Sequence, residues 1–342
     1  MRYLIIGAGA VGGAIGARLA EAGQDVVLVA RGKQYEALRE RGLLFEAPDG
    51  TRVHRPPVAD GPGALGTLRA DDVLVLCVKT QDSAAALAAW GAAPVEGGGT
   101  AAGRLPLVCA QNGVESERLA LRSFRRVYAM CVWLPATLVE PGVVRAAGTP
   151  LTGILHLGRY PAGSDGTARE IAAGLERGRL AAPVVDDVMR WKHAKLLANL
   201  ANAIEALSGV RTDDAGAALY RRARAEGEAV LDAAGIAHTG PEEERAVRGD
   251  RITLEPLDGA PRGGGSTWQS LDRGAGSVEV DWLNGEIGLL GRLHGVPTPV
   301  NDVLQERAND AARHGRPPGA TPIADLAAAV DARLRATRSP SP

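Results

Sequence analysis

Apolar residues run along this chain in two patterns, and each predicts an element. Tyr3–Ile6, Val26–Val29, Asp71–Lys79 and Leu105–Ala110 hold short, nearly unbroken apolar runs, as buried parallel strands do. Tyr128–Leu134, Val143–Ala146 and Ile154–Leu157 read as further strands extending the same sheet. Leu43–Phe45 and Thr51–Val53 flank Asp49-Gly50, the signature of a hairpin. Helical spacing separates these runs, at Ile15 and Leu19, over Tyr35–Arg41 and over Ser83–Trp90. Near residue 184 the period changes. Met189, Trp191, Leu196, Leu197, Leu200, Ile204 and Leu207 recur three and four apart, which predicts one long helix to Val210, capped by Asp186 or Asp187. Further helices are predicted over Ala217–Ala234, Pro241–Gly249, Val278–His294 and Val300–His314, the last entered through Pro297 and Pro299. Pro256–Ser266, rich in Gly and Pro, is a candidate mobile loop.

The first strand runs directly into Gly7-Ala8-Gly9-Ala10-Val11-Gly12, and a helix and a second strand follow at the spacing of a βαβ unit. Each glycine has a physical task. Gly7 permits the tight turn, Gly9 lets backbone approach a pyrophosphate, and Gly12 lets helix pack closely on strand. The pyrophosphate would rest on the first helical N–H groups. With strands alternating with helices, the expected fold is α/β: an N-terminal Rossmann dinucleotide-binding domain over 1–183, a mostly α-helical C-terminal domain over 184–336, and a flexible tail at 337–342.

After the second strand an NAD-binding chain usually carries an acid for the ribose hydroxyls. Here stands Ala30-Arg31-Gly32-Lys33. A guanidinium grips a 2′-phosphate that a carboxylate would repel, so the expected cofactor is NADP(H). Ligands of open α/β sheets bind beyond the carboxyl ends of strands. Lys79 and Asn112 occupy such ends.

Composition narrows the classes. The formal net charge is −1, from 39 basic and 40 acidic side chains, with no basic patch for nucleic acid. No apolar run is long enough to span a membrane. The chain opens on a strand rather than a secretion signal, and its three cysteines, Cys77, Cys109 and Cys131, lie in strand-like runs. These features predict a cytoplasmic protein with reduced thiols and no metal site.

Lys195, Asn199 and Asn202 fall at i, i+4 and i+7, on one face of a helix flanked by Leu and Ala. That face is either a polar network or solvated stripe, or a substrate-facing row whose lysine donates a proton. Lys192 lies off the row and is expected to be solvated. A second polar set comprises Ser266-Thr267-Trp268-Gln269-Ser270 and then Glu279 and Asp281, acids suited to a helix start.

These motifs together resemble the ketopantoate reductase (2-dehydropantoate 2-reductase) family. The resemblance is carried by GAGAVGG at 7–13, VKTQD at 78–82, QNG at 111–113, KLLAN at 195–199, STWQS at 266–270, EVDWLNGEI at 279–287 and GVPTP at 295–299. It implies NADPH-dependent reduction of a small 2-keto acid, ketopantoate, with no nucleic-acid or membrane partner; a homodimer remains open. It further implies that Lys79 joins Arg31 at the 2′-phosphate side and that Asn112 lies beside nicotinamide and substrate. Lys195 would be the general acid, Asn199 would bind the distal hydroxyl, Thr267 or Ser266 would hold the carboxylate, and Glu279 would bond the reacting hydroxyl. Asn202 is a further substrate-binding candidate. Two departures touch the substrate side. Ala203 stands where the family often has a second asparagine, and Ser-Thr-Trp-Gln-Ser-Leu replaces Ser-Ser-Met-Leu-Gln-Asp. They keep open a related NADPH reductase acting on another 2-keto acid or an imine.

Overall fold

The short apolar runs fold as strands because residues with no polar side chain, such as Leu4, Leu28 and Leu74, are wholly enclosed on both faces of a sheet. The computed structural model describes residues 1–209, 214–257 and 264–338. The chain begins with β1 (Arg2–Ile6), α1 (Ala10–Glu21), β2 (Asp25–Val29), α2 (Gly32–Arg41), the hairpin β3 (Leu43–Ala47) and β4 (Gly50–His54), and β5 (Val58–Ala59). It continues through β6 (Asp72–Leu76), α3 (Ser83–Gly91), α4 (Ala101–Arg104), β7 (Leu107–Cys109), α5 (Ser116–Leu121) and β8 (Val127–Trp133). Next come β9 (Ala136–Glu140), β10 (Val143–Ala146), β11 (Gly148–Pro150), β12 (Gly153–Arg159), α6 (Gly166–Glu176) and β13 (Leu180–Ala181).

The main sheet has eight strands in the order β13-β12-β8-β7-β6-β1-β2-β5. From β8 to β5 every neighbouring pair is parallel, and β12 runs antiparallel to β8. Strands β2 and β6 flank β1, so the strand order reverses at β1. That reversal leaves the crevice in which such sheets bind ligands. Val143–Ala146 does form a strand, but it does not extend this sheet as expected. It pairs with β3 and β9 in a separate four-stranded sheet, β4-β3-β10-β9, where burial alternates as it does in a one-sided strand. Arg18 of α1, buried, joins the two layers. Its guanidinium donates to Asp49 at 2.6 and 2.9 Å, to Glu21 at 2.5 Å and to the Thr152 hydroxyl at 2.7 Å. That guanidinium holds the Asp49 carboxyl down to about 2.

The structure divides into two compact units, Met1–Lys192 with Thr239–Arg262, and His193–His238 with Gly263–Pro342. The division differs from the expected boundary at 183/184, and the reason lies in the side chains. In α7 (Val188–Asn199), Trp191 stacks on His156 of β12 at 3.9 Å, which ties the start of that helix to the sheet. The predicted long helix is interrupted at Leu200, and α8 (Ala201–Ser208) and α9 (Asp214–Ala233) follow. Thr239–Arg262 then returns to the first unit. Its α10 (Pro241–Arg248) places Arg248 over the Trp133 ring, and β14 (Ile252–Leu254) pairs with β11.

The second unit is completed by α11 (Ser266–Asp272), a 3₁₀ turn over Glu279–Trp282, α12 (Asn284–His294), α13 (Pro299–Arg313) and α14 (Ile323–Arg338). The predicted helix 278–294 is thus a turn and a helix, broken at Leu283. Helix α14 was not foreseen and takes in the first two residues of the expected tail; 339–342 lie outside the described residues, as do 258–263 of the candidate loop. A buried polar network organises this unit. Glu226 of α9 accepts from the Val300 and Asn301 amides at 2.9 and 3.0 Å, capping α13, and from the Asn301 side chain at 2.9 Å. Asn301 accepts from Asn284 at 3.0 Å, and Asn284 also donates to the Leu200 carbonyl at 3.4 Å, at the break between α7 and α8.

Candidate active site

The glycine turn has little freedom to be anything else. Gly7 sits at φ +103, and its amide and that of Ala8 both donate to the Val29 carbonyl, at 3.1 and 2.9 Å. A Cβ on Gly12 would stand 2.2 Å from the Gly7 carbonyl oxygen, so only glycine lets α1 leave the strand this closely. A Cβ on Gly9 would meet nothing within 4 Å. Gly9 is therefore not required by packing; what it leaves is open space over the helix start. Gly13 donates to the Gly9 carbonyl at 2.8 Å, so the amides of Ala10, Val11 and Gly12 precede the first i−4 bond of α1. Open space above helix-start amides suits a pyrophosphate.

Gln34 was missed in the sequence. Its side chain donates to the Ala8 carbonyl at 2.6 Å and accepts from the Gly142 amide at 2.9 Å, so α2 clamps the glycine turn to the β9–β10 turn. Its spacing from Arg31 within an ordinary helix gives no sequence signal. Arg31 and Lys33 are exposed beyond β2, Lys79 is half-buried beyond β6, and Asn112 is half-buried beyond β7. All follow strands that run parallel to β1 in one sheet, so they share its carboxyl edge with Gly7–Gly12.

Lys192 corrects an expectation. It is not solvated but 3% exposed, because α5 puts the fully buried Glu117 carboxylate against its ammonium group. Its Nζ also donates to the Gln111 carbonyl at 3.1 Å. Burial pushes the Glu117 carboxyl up, and Lys192 opposes that shift.

In the helical unit the polar row is largely enclosed. Asn199 is 7% exposed, Asn202 6%, Thr267 2% and Glu279 6%, while Lys195 and Ser266 are half-buried. Helix α11 packs on α8, and the Asn202 amide oxygen lies 3.0 Å from where a Cβ on Gly265 would be. Glu205 of α8 accepts from the Gly265 amide at 2.7 Å. Asn202 is thus brought to the start of α11, one residue from Ser266. Among the described residues of this unit three buried polar side-chain atoms lack a protein partner, Asn199 Nδ2, Ser266 Oγ and Asn284 Oδ1, and the first two belong to the predicted substrate-side residues. A buried amide left so costs about 1–3 kcal/mol. Ala203, eight residues after Lys195, is buried and apolar, so no hydroxyl contact comes from that position.

Comparison with known proteins fits both units. Residues 3–162 match the family "Ketopantoate reductase PanE/ApbA", and residues 187–311 match its C-terminal family. The chain belongs to the ketopantoate reductase family. A 2-dehydropantoate 2-reductase of Archaeoglobus fulgidus is 30% identical over 310 residues, 89% of this chain and 95% of that protein. A PanE/ApbA family ketopantoate reductase from Ralstonia eutropha superposes with a TM-score of 0.74 at 27% identity, covering 92% of this chain and all of the other. D-mandelate dehydrogenase, in a complex with NADH and anilino(oxo)acetate, shares the fold at a TM-score of 0.76 and 20% identity, over 93% of this chain and 100% of that one. As a ketopantoate reductase family member this protein is an oxidoreductase, and the family's two-part organisation accounts for a Rossmann unit followed by a helical one.

Proposed function

We propose that the protein is an NADPH-dependent 2-dehydropantoate 2-reductase, reducing ketopantoate to pantoate. The observation that carries the substrate side is two orphaned buried groups, Asn199 Nδ2, on the helix face that also carries Lys195, and Ser266 Oγ, at the start of α11. A substrate with a hydroxyl and a carboxylate gives such groups partners. The dinucleotide, when bound, supplies the hydride that reduces the C2 carbonyl carbon. Gly7, Ala8, Gly9, Ala10, Val11 and Gly12 would cradle its pyrophosphate, Arg31 and Lys79 its 2′-phosphate side, and Asn112 its nicotinamide end. Lys195 stabilises the charge that develops on the carbonyl oxygen and then donates the proton that completes the alcohol. Asn199, with Asn202, binds the distal hydroxyl, Thr267 or Ser266 holds the carboxylate, and Glu279 hydrogen-bonds the reacting hydroxyl.

The preference for NADPH rests on Arg31, exposed and at the start of α2 where an acid would select NAD. A homodimer is the assembly we favour, as a ketopantoate reductase from Staphylococcus aureus with this fold is dimeric. The test is NADPH oxidation over a panel of 2-keto acids, with the product identified. Ketopantoate should be the fastest substrate and pantoate its product. Buried, apolar Ala203 favours a second reading, a reductase of the same chemistry acting on a different 2-keto acid, and that reading replaces the first if another member of the panel is faster.

A further inference from the structure

The buried Lys192–Glu117 pair belongs neither to the glycine turn nor to the polar row. Its location in the fold is specific. Lys192 Nζ donates to the main-chain carbonyl of Gln111, the residue immediately before Asn112, and the Gln111 side chain donates to Ser83 Oγ at 2.8 Å. Ser83 begins α3, the helix that follows Lys79 and its short turn. One ammonium group therefore reaches the loop after β7 directly and the loop after β6 through one glutamine. Those two loops lie at the carboxyl edge where the sheet binds its ligand. Gly113, next to Asn112, adopts φ +79, a conformation open to glycine and to few other residues, which fixes where the turn can bend.

Stability does not explain the pair. Replacing a buried ion pair with apolar side chains is often neutral or stabilising. This pair is also incompletely satisfied. The second Glu117 oxygen, the Gln111 side-chain oxygen and the Ser116 hydroxyl are all buried without a hydrogen-bond partner. What the ammonium does supply is a donor strong enough to fix a main-chain carbonyl in a dry site.

We propose that Lys192 is a positioning residue: held by Glu117, it fixes the Gln111-Asn112-Gly113 turn and so sets the nicotinamide end of the dinucleotide site. This rests on the reading that the turn borders a bound dinucleotide. The experiment compares wild type with the double variant Lys192→Met/Glu117→Met and with Glu117→Gln, which removes the charge but keeps the Lys192 donor. Two quantities are read, amide hydrogen exchange at 111–113 in the free protein and the NADPH dissociation constant by fluorescence. The double variant should fold, exchange these amides about 10-fold faster and bind NADPH about 10-fold more weakly, the effect of losing one hydrogen bond to a charged group. Glu117→Gln keeps an oxygen that accepts from Lys192, so it should stay close to wild type in both readouts, although the ammonium left without its counter-charge lowers global stability.

Three results would overturn the inference. The double variant fails to fold, which makes the pair a stability element; it matches wild type in exchange; or Glu117→Gln is already as loose as the double variant. If wild type itself does not bind NADPH, the functional reading falls, while the exchange measurement still decides whether Lys192 fixes the turn.

Discussion

At the carboxyl edge of the sheet most of the binding capacity is main chain: the amides that open α1, bare at Gly9, with exposed Arg31 and half-buried Lys79 nearby. In the helical unit the capacity is side chain, with Asn199, Asn202, Thr267 and Glu279 all enclosed. The first region offers donors to any ligand of the right charge and length. The second would be selective if it holds the substrate, because buried polar groups are left unpaired by a ligand that cannot meet them. On the proposed function, the difference would place cofactor affinity in the sheet, and substrate choice with proton transfer in the helices. The two lysines of α7 sharpen the contrast. Lys192, paired with Glu117, is consumed by the architecture of the sheet unit, while Lys195, half-buried one turn later, belongs to the helical unit.

That contrast can be broken in several places. The largest effect is expected at Lys195. Lys195→Ala should lose about 10²–10⁴-fold in turnover, the span of general acid catalysis, while NADPH affinity measured on the same sample is unchanged. A loss of NADPH affinity matching the loss of turnover would dissolve the division of labour. Lys192→Ala should act on folding instead. It strands the buried Glu117 charge and should cost about 3–5 kcal/mol in a denaturant titration, in contrast to the tolerated double replacement.

A third test concerns His156, buried against Trp191 and Trp133 with neither ring nitrogen bonded. Burial, with Arg251 nearby, lowers its pKa from 6.5 to about 4. The unfolded chain takes up this proton near 6.5 and the folded chain refuses it until about 4, so stability should fall as pH drops through that window. The loss amounts to roughly 3 kcal/mol in all. His156→Phe should flatten this limb; an unchanged slope would show that His156 is not responsible. The smallest effect is expected at Arg31. Arg31→Ala should weaken NADPH binding by about 10–150-fold and leave NADH binding nearly alone, the cost of one charge-assisted bidentate contact. Equal loss for both cofactors would show that Arg31 does not read the 2′-phosphate.

The same contrast explains what could be read from the sequence. A main-chain site leaves a local signature, since Gly7 and Gly12 are demanded by φ and by a 2.2 Å approach, and their spacing announces the turn. The parallel strands were legible for a similar reason, as strands buried on both faces must be apolar throughout. Side-chain sites leave no such mark. Asn199 and Glu279 could be singled out as polar residues among apolar ones, but their roles came only through resemblance. Lys192 was misjudged because helical phase cannot show that Glu117, 75 residues earlier in the chain, waits in the core. β10 and β14 were misplaced or missed because their partners, β3 and β11, are distant in sequence. Helix α14 is weakly marked in the sequence because, among its described residues, only Leu326 and Val330 are fully buried, and small alanines occupy many of the positions between.

Substrate choice in the helical unit is tested most sharply by a substrate with and without its hydroxyl. The most direct measurement is kcat/KM with NADPH for ketopantoate and for 2-ketoisovalerate, which has the branch but no hydroxyl, in wild type and in Asn199→Ala. Wild type should favour ketopantoate by roughly 100-fold or more, the scale on which unpaired buried polar groups discriminate. Asn199→Ala should narrow that ratio by impairing ketopantoate more than its competitor. Equal efficiencies in wild type, or a ratio that Asn199→Ala leaves intact, would contradict the proposed hydroxyl contact.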